Sequence, residues 1–167
     1  ILKHSLISNK KFFLWLNKNA ENIINKKNKN ILKDAIIKSC KIKSAVVKKD
    51  ETEKNLRMIL NFGHTFAHGF EAAKKYSKKL NHGEAVLLGM MVAIKLSHEK
   101  KKFPFKDLML IQKHYDELGL PMKISNFFKK SDISKIISYM KKDKKNLNDK
   151  INLILLKKIG KINNFSL

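Results

Sequence analysis

The stretch Ala85–Leu96, AVLLGMMVAIKL, sets the tightest limit on what this chain can fold into; only Gly89 and Lys95 interrupt its apolar character. It is too short to cross a membrane. Read with its flanks as a helix over 84–98, it has to be buried on most sides. Asn81 or His82 stands at the helix start, and Glu84 suits the positive end of the helix dipole. Other elements must cover such a helix. With six Gly and two Pro in 167 residues, tight turns are few, which favours long helices over a many-stranded sandwich. The expected fold is mainly α: a helical bundle with at most a short β pair.

The other elements follow from pattern. Residues 1–19 read as one or two helical segments broken near Ser8–Asn9, with either residue able to cap the second. Residues 31–48 carry a helical pattern that includes Ile36 and Cys40, with Lys43 beside its apolar stripe. Trp15 and Cys40 are both expected in the core. A helix over 107–118 stops at Gly119 and Pro121. A further helix over 131–140 is capped by Ser131 or Asp132. INLILL at 151–156 is the one clear strand, followed by a turn at Gly160.

The chemistry concentrates between Arg57 and Glu84. Three of the six histidines, His64, His68 and His82, fall here, as does Arg57, the one arginine of the chain. Read as a single helix over 56–75, this segment lines Arg57, Asn61, His64 and His68 along one face. A cation, an amide and two imidazoles on one stripe form the wall of a polar site. Gly63 and Gly69 inside that helix each cost about 1 kcal/mol relative to Ala, so something must come close to the backbone. His64 and His68 have the i, i+4 spacing that lets two imidazoles reach one metal, and His82 can fold back to the same ion. Spacing does not fix which two bind, and an exposed helical pair with a capping histidine has the same spacing. Any of the three can instead act as acid or base near neutrality. Arg57 and Asn61 suit a carboxylate or phosphate and a hydroxyl, while Glu53, one turn before Arg57, offers it an ordinary ion pair. Lys144 and Lys145, beside Asp143, look by themselves like a solvated charge run. His4, His98 and His114 have no role assigned.

The formal net charge is +23, carried by lysines spread over the whole chain. Nucleic-acid readers cluster their charge and use arginine, so specific nucleic-acid binding is not expected. A nonspecific basic surface and an anionic substrate both remain compatible with this charge. The single Cys40 excludes an internal disulfide and a cysteine-rich metal site.

These motifs resemble a known family. KSAVVKKDETEKNLRMILNFGHTFAHGFE at 43–71 and HGEAVLLGM at 82–90 are similar to the C-terminal domain of 3-dehydroquinate synthase. LKHSLI, FFLWL, MKKDKKN and INLILLKKIGK extend the resemblance over essentially the whole chain. The resemblance implies the C-terminal half of a two-domain fold, with residues 1–167 as its helical domain. It also implies conversion of 3-deoxy-D-arabino-heptulosonate 7-phosphate to 3-dehydroquinate with phosphate release, in the shikimate pathway. It places zinc (or cobalt) on His64 and His82. It makes His68 a substrate contact and proton-transfer group and Glu53 an acid/base group. Lys3, Lys43, Arg57 and Asn61 become substrate contacts, with at least one of Lys144 and Lys145. NAD is expected mainly on an N-terminal domain absent from this chain, in a cytoplasmic enzyme that is a homodimer when complete.

Two departures stand out. The family's further metal ligand, a Glu three residues before Lys3, falls just ahead of residue 1, and no Gly-rich nucleotide fingerprint occurs. The chain alone is therefore expected to be inactive. Ser5 stands where the family commonly has Gly. A related sugar-phosphate cyclase, or a noncatalytic basic module that kept the fold, are the rival readings.

Overall fold

The computed structural model describes residues 1–53, 56–142 and 151–166. Helix α1 spans Leu2–Ser8 and α2 spans Lys10–Ile24. The break falls at Asn9, whose side chain accepts a hydrogen bond from the Phe12 N–H at 2.9 Å and so caps α2. Helix α3 spans Lys29–Lys49. A 3-10 helix covers Leu56–Asn61, and α4 covers His64–Ala73. The long apolar run becomes α5, His82–Lys101, which starts with the Asn81 N–H donating to the Glu84 carboxylate at 2.8 Å. Helices α6, Phe105–Glu117, and α7, Ile133–Lys141, follow. Strands β1, Asn152–Lys158, and β2, Lys161–Ser166, then pair antiparallel, with Leu153 opposite Phe165 and Leu156 opposite Ile162. The mainly helical bundle with one strand pair is the expected fold, and no described helix is long and apolar enough to cross a membrane.

The core is built around α5. Leu88, Met91 and Ile94 are fully buried within it, against Phe70 of α4, Tyr115 of α6 and Leu155 of β1. Residues 153–156 of β1 are buried without alternation, as expected of a strand covered on both faces. Two buried polar groups tie the hairpin down. Ser97 Oγ accepts from the Leu156 N–H at 2.9 Å and donates to the Ala93 carbonyl at 2.6 Å. The Asp107 carboxylate accepts from Lys10 Nζ at 3.1 Å and from the Ile159 N–H at 3.2 Å. A smaller cluster of Phe12, Leu16 and Ala35, with Trp15 and Ile42 packed on it, joins α2 to α3.

Two expectations are corrected. The helix over 56–75 is not continuous, so Arg57 and Asn61 do not share a helical face with His64 and His68. The chain breaks at Gly63, whose φ of +79° belongs to the left-handed region that side chains rarely adopt. A Cβ there would lie 2.8 Å from the Met90 nitrogen, and one on Gly89 would lie 2.2 Å from the Gly63 carbonyl oxygen. Helices α4 and α5 thus cross backbone to backbone, the close approach that glycine at this site permits. The second correction is Cys40, which is exposed. Helix α3 buries only a narrow stripe, Ala35, Ser39 and Val46, and Cys40 falls beside it, as do the exposed Ile36 and Ile37.

Candidate metal and substrate site

The crossing of α4 and α5 assembles the histidines. His64 opens α4, His68 follows one turn later, and His82 opens α5. The His64 ring centroid lies 6.0 Å from that of His68 and 5.7 Å from that of His82, with ring planes at 87° and 70°. His64 and His82 are each oriented by a hydrogen bond at Nδ1. His64 Nδ1 donates to the Phe62 carbonyl at 3.2 Å, and His82 Nδ1 donates to the Glu71 carboxylate at 3.0 Å. With Nδ1 so engaged, a neutral ring carries its lone pair on Nε2, the tautomer in which imidazole ligates a metal.

Lys3 enters from α1, with Nζ 3.5 Å from His64 Nε2. Burial, then the Lys3 charge, pushes His64 down to about 4, with the Phe62 hydrogen bond opposing. The ring is therefore uncharged at neutral pH, which metal ligation requires. These residues fit a metal as two imidazole donors. Among the described residues no three His, Cys, Asp or Glu side chains converge as a complete ligand set.

The polar groups ahead of the break form a second cluster. Asn61 Nδ2 donates to Glu53 Oε1 at 2.9 Å, and Arg57 Nε lies 3.8 Å from Glu53 Oε2. The Arg57 side chain also donates to the Glu51 carbonyl at 2.8 Å, while its backbone N–H donates to Asp50 at 2.9 Å. The ordinary ion pair weighed for Arg57 and Glu53 is thus formed. It holds a cation, an amide and a carboxylate together, with Glu53 in the left-handed backbone region at φ +55°. The 3-10 helix that carries Arg57 and Asn61 packs on α1 and α3. Lys43 is exposed on α3, close enough to α1 for its charge to act on His4. Lys144 and Lys145 lie outside the described residues.

Sequence reasoning passed over Glu71. It lies inside the quoted motif, one helical turn after His68, but its partner His82 comes from across a loop. Its carboxylate is the more enclosed of the pair, with the Glu71 side chain 14% exposed against 61% for His82.

Known proteins share this fold. A 2-epi-5-epi-valiolone synthase from Streptomyces hygroscopicus, solved with NAD+ and Zn2+ bound, superposes with a TM-score of 0.82 at 19% identity. The match covers 98% of this chain and 44% of that one, and it shows the shared fold. A 2-deoxy-scyllo-inosose synthase, solved with carbaglucose-6-phosphate, NAD+ and Co2+, superposes with a TM-score of 0.70 at 28% identity, covering 98% and 43%. The 3-dehydroquinate synthase of Pelagibacter ubique is 53% identical over 160 residues, 96% of this chain and 43% of that protein. That of Dictyoglomus thermophilum is 41% identical over 163 residues, 97% and 44%. The chain therefore spans less than half the length of the curated relatives it matches. Fold and site together define the helical, histidine-bearing domain that forms the C-terminal part of dehydroquinate synthase-like cyclases. More particularly, the chain belongs to the 3-dehydroquinate synthase C-terminal family, whose sequence profile matches residues 1–146.

Proposed function

We propose that this chain is the metal- and substrate-binding portion of a 3-dehydroquinate synthase, which converts 3-deoxy-D-arabino-heptulosonate 7-phosphate to 3-dehydroquinate and releases phosphate. The observation that carries this reading is the convergence of Lys3, His64, His68 and His82 from three helices, within a chain 53% identical to a protein of that name. His64 and His82 would hold zinc or cobalt. Such a metal would supply Lewis-acid chemistry, polarising a substrate hydroxyl and lowering its pKa.

The remaining groups of this chain bind and move protons. A substrate with a carboxylate, a phosphate and several hydroxyls needs converging cations and amides. Lys3, Lys43 and Arg57 supply the cations, and cation contacts to the phosphate stabilise it as a leaving anion. Asn61 contacts a hydroxyl and is held for that task by Glu53. His68, beside the metal-binding pair, accepts and returns a proton on the substrate. Glu53 is the second acid/base group. Of Lys144 and Lys145, at least one contacts the substrate. NAD is held by the remainder of the complete protein, a cytoplasmic homodimer of the shikimate pathway.

The test is turnover by the complete protein with zinc and NAD. Stoichiometric phosphate release from 3-deoxy-D-arabino-heptulosonate 7-phosphate, with 3-dehydroquinate as product, is expected. The 167-residue chain alone should show neither. Turnover of a different sugar phosphate, with none of this one, would replace the reading with a related cyclase.

A further inference from the structure

His4 lies close enough to Lys3 and Lys43, two of the lysines that the proposed function assigns to substrate, for both charges to act on it. It follows Lys3 on α1, and its Nδ1 shares a 2.7 Å hydrogen bond with the hydroxyl of Ser39 on α3. Ser39 is 6% exposed, on the narrow buried stripe of α3, and Lys43 lies one helical turn beyond it. The bond is thus a direct polar tie between the two helices that carry the lysines. Helix α1 has only seven residues, and so short a helix takes its orientation from what it is tied to. Its far end is fixed by the Gly160 N–H donating to the Leu6 carbonyl at 2.8 Å. The His4–Ser39 bond fixes the end that bears Lys3, whose ammonium reaches the histidine cluster. Burial, then the positive charges of Lys3 and Lys43, lowers the pKa of His4 below its ordinary value. The ring joins the helices without adding a third positive charge near the lysines. An arginine or lysine at this position would tie the same helices while repelling both ammonium groups.

We infer that His4 and Ser39 are a positioning pair that locks α1 against α3, so that Lys3 and Lys43 act together as one clamp for an anionic group of the substrate beside the histidine cluster. This rests on the proposed function, in which both lysines hold the substrate. Neither His4 nor Ser39 need touch the substrate; each acts through the lysine next to it in the chain or on the helix.

The experiment uses the complete enzyme, with inorganic phosphate as a binding probe beside the steady-state constants for the phosphorylated substrate. His4→Ala and Ser39→Ala are each expected to raise KM and the Kd for phosphate about ten-fold, within the hundred-fold loss that a misplacement of about 1 Å can cause. Bound zinc should be unchanged. The double variant should be no worse than either single, the non-additivity of two partners in one bond. His4→Asn, whose amide can reach the position of Nδ1, should restore most of the affinity. Should His4→Ala fail to fold, Ser39→Ala against His4→Asn makes the same comparison. A lower Tm with unchanged KM and phosphate affinity would make the pair merely structural and overturn the inference. Lys3→Ala and Lys43→Ala separate the two levels. If they leave phosphate and substrate binding intact, the proposed function fails. If they weaken binding while the His4 and Ser39 variants do not, only this inference fails.

Discussion

Replacing Gly89 with alanine tests whether the backbone crossing of α4 and α5 builds the site. The added Cβ would lie 2.2 Å from the Gly63 carbonyl oxygen and 3.1 Å from the Ala67 nitrogen, where ordinary contact begins at 3.4 Å. The shortfall at the oxygen is about 1.2 Å, and the obstacle is backbone, so no rotamer change relieves it. Overpacking costs about 1–3 kcal/mol in general, and a rigid partner puts this case at the upper end. Alanine returns about 1 kcal/mol of helix propensity in mid-α5, which leaves a net loss of about 2 kcal/mol or more. The helices must also part, which moves His64 away from His82 and weakens zinc binding. Urea denaturation of the complete protein, with zinc affinity measured by competition with a chromophoric chelator, reads both effects. Gly83→Ala is the control, since nothing lies within 4 Å of its Cβ and it should change stability by less than about 0.5 kcal/mol. A Gly89→Ala protein as stable as the parent, with unchanged zinc affinity, would refute the crossing as the organising contact.

Three further outcomes are expected. Glu71→Gln removes the carboxylate that orients His82 and should weaken zinc binding about 10–100-fold; chelator competition showing no loss would count against it. Ser97→Ala leaves the buried Leu156 N–H without its side-chain acceptor and should cost about 1–3 kcal/mol in urea unfolding. His114 is buried against Phe13 and hydrogen-bonded to Asn17, and burial lowers its pKa, with Glu117 opposing. Below its ordinary pKa of 6.5 the unfolded chain binds the proton before the folded one does. Stability from this group is therefore full above that pH and falls as pH drops towards the lowered folded value. Urea midpoints at pH 7.5 and 5 should differ less in His114→Gln than in the parent.

What the sequence made legible and what it hid divide along physical lines. The run at 85–96 demanded a buried helix, and Asn9 ahead of two phenylalanines signalled a cap, because both depend on local pattern. The break at Gly63 was not legible in the same way. Positive φ there is required by Met90 and Gly89, some 26 residues later in the chain, and periodicity carries no record of them. The same holds for the narrow stripe of α3. Its apolar residues imply a wide buried face, yet among the described residues the elements packed most closely on it are α1, α2 and the 3-10 helix, and Cys40 and Ile36 are left in solvent. The histidines were legible as a group through their motif, but Glu71 and Ser39 acquire a role only when a partner arrives from another helix.

In the proposed function the three histidines divide the labour. Bound zinc and turnover measured together on His64→Ala, His68→Ala and His82→Ala of the complete enzyme test it most directly. Loss of zinc in the His64 and His82 variants is predicted, with His68→Ala keeping its zinc and losing turnover. Equal loss of zinc in all three would contradict it.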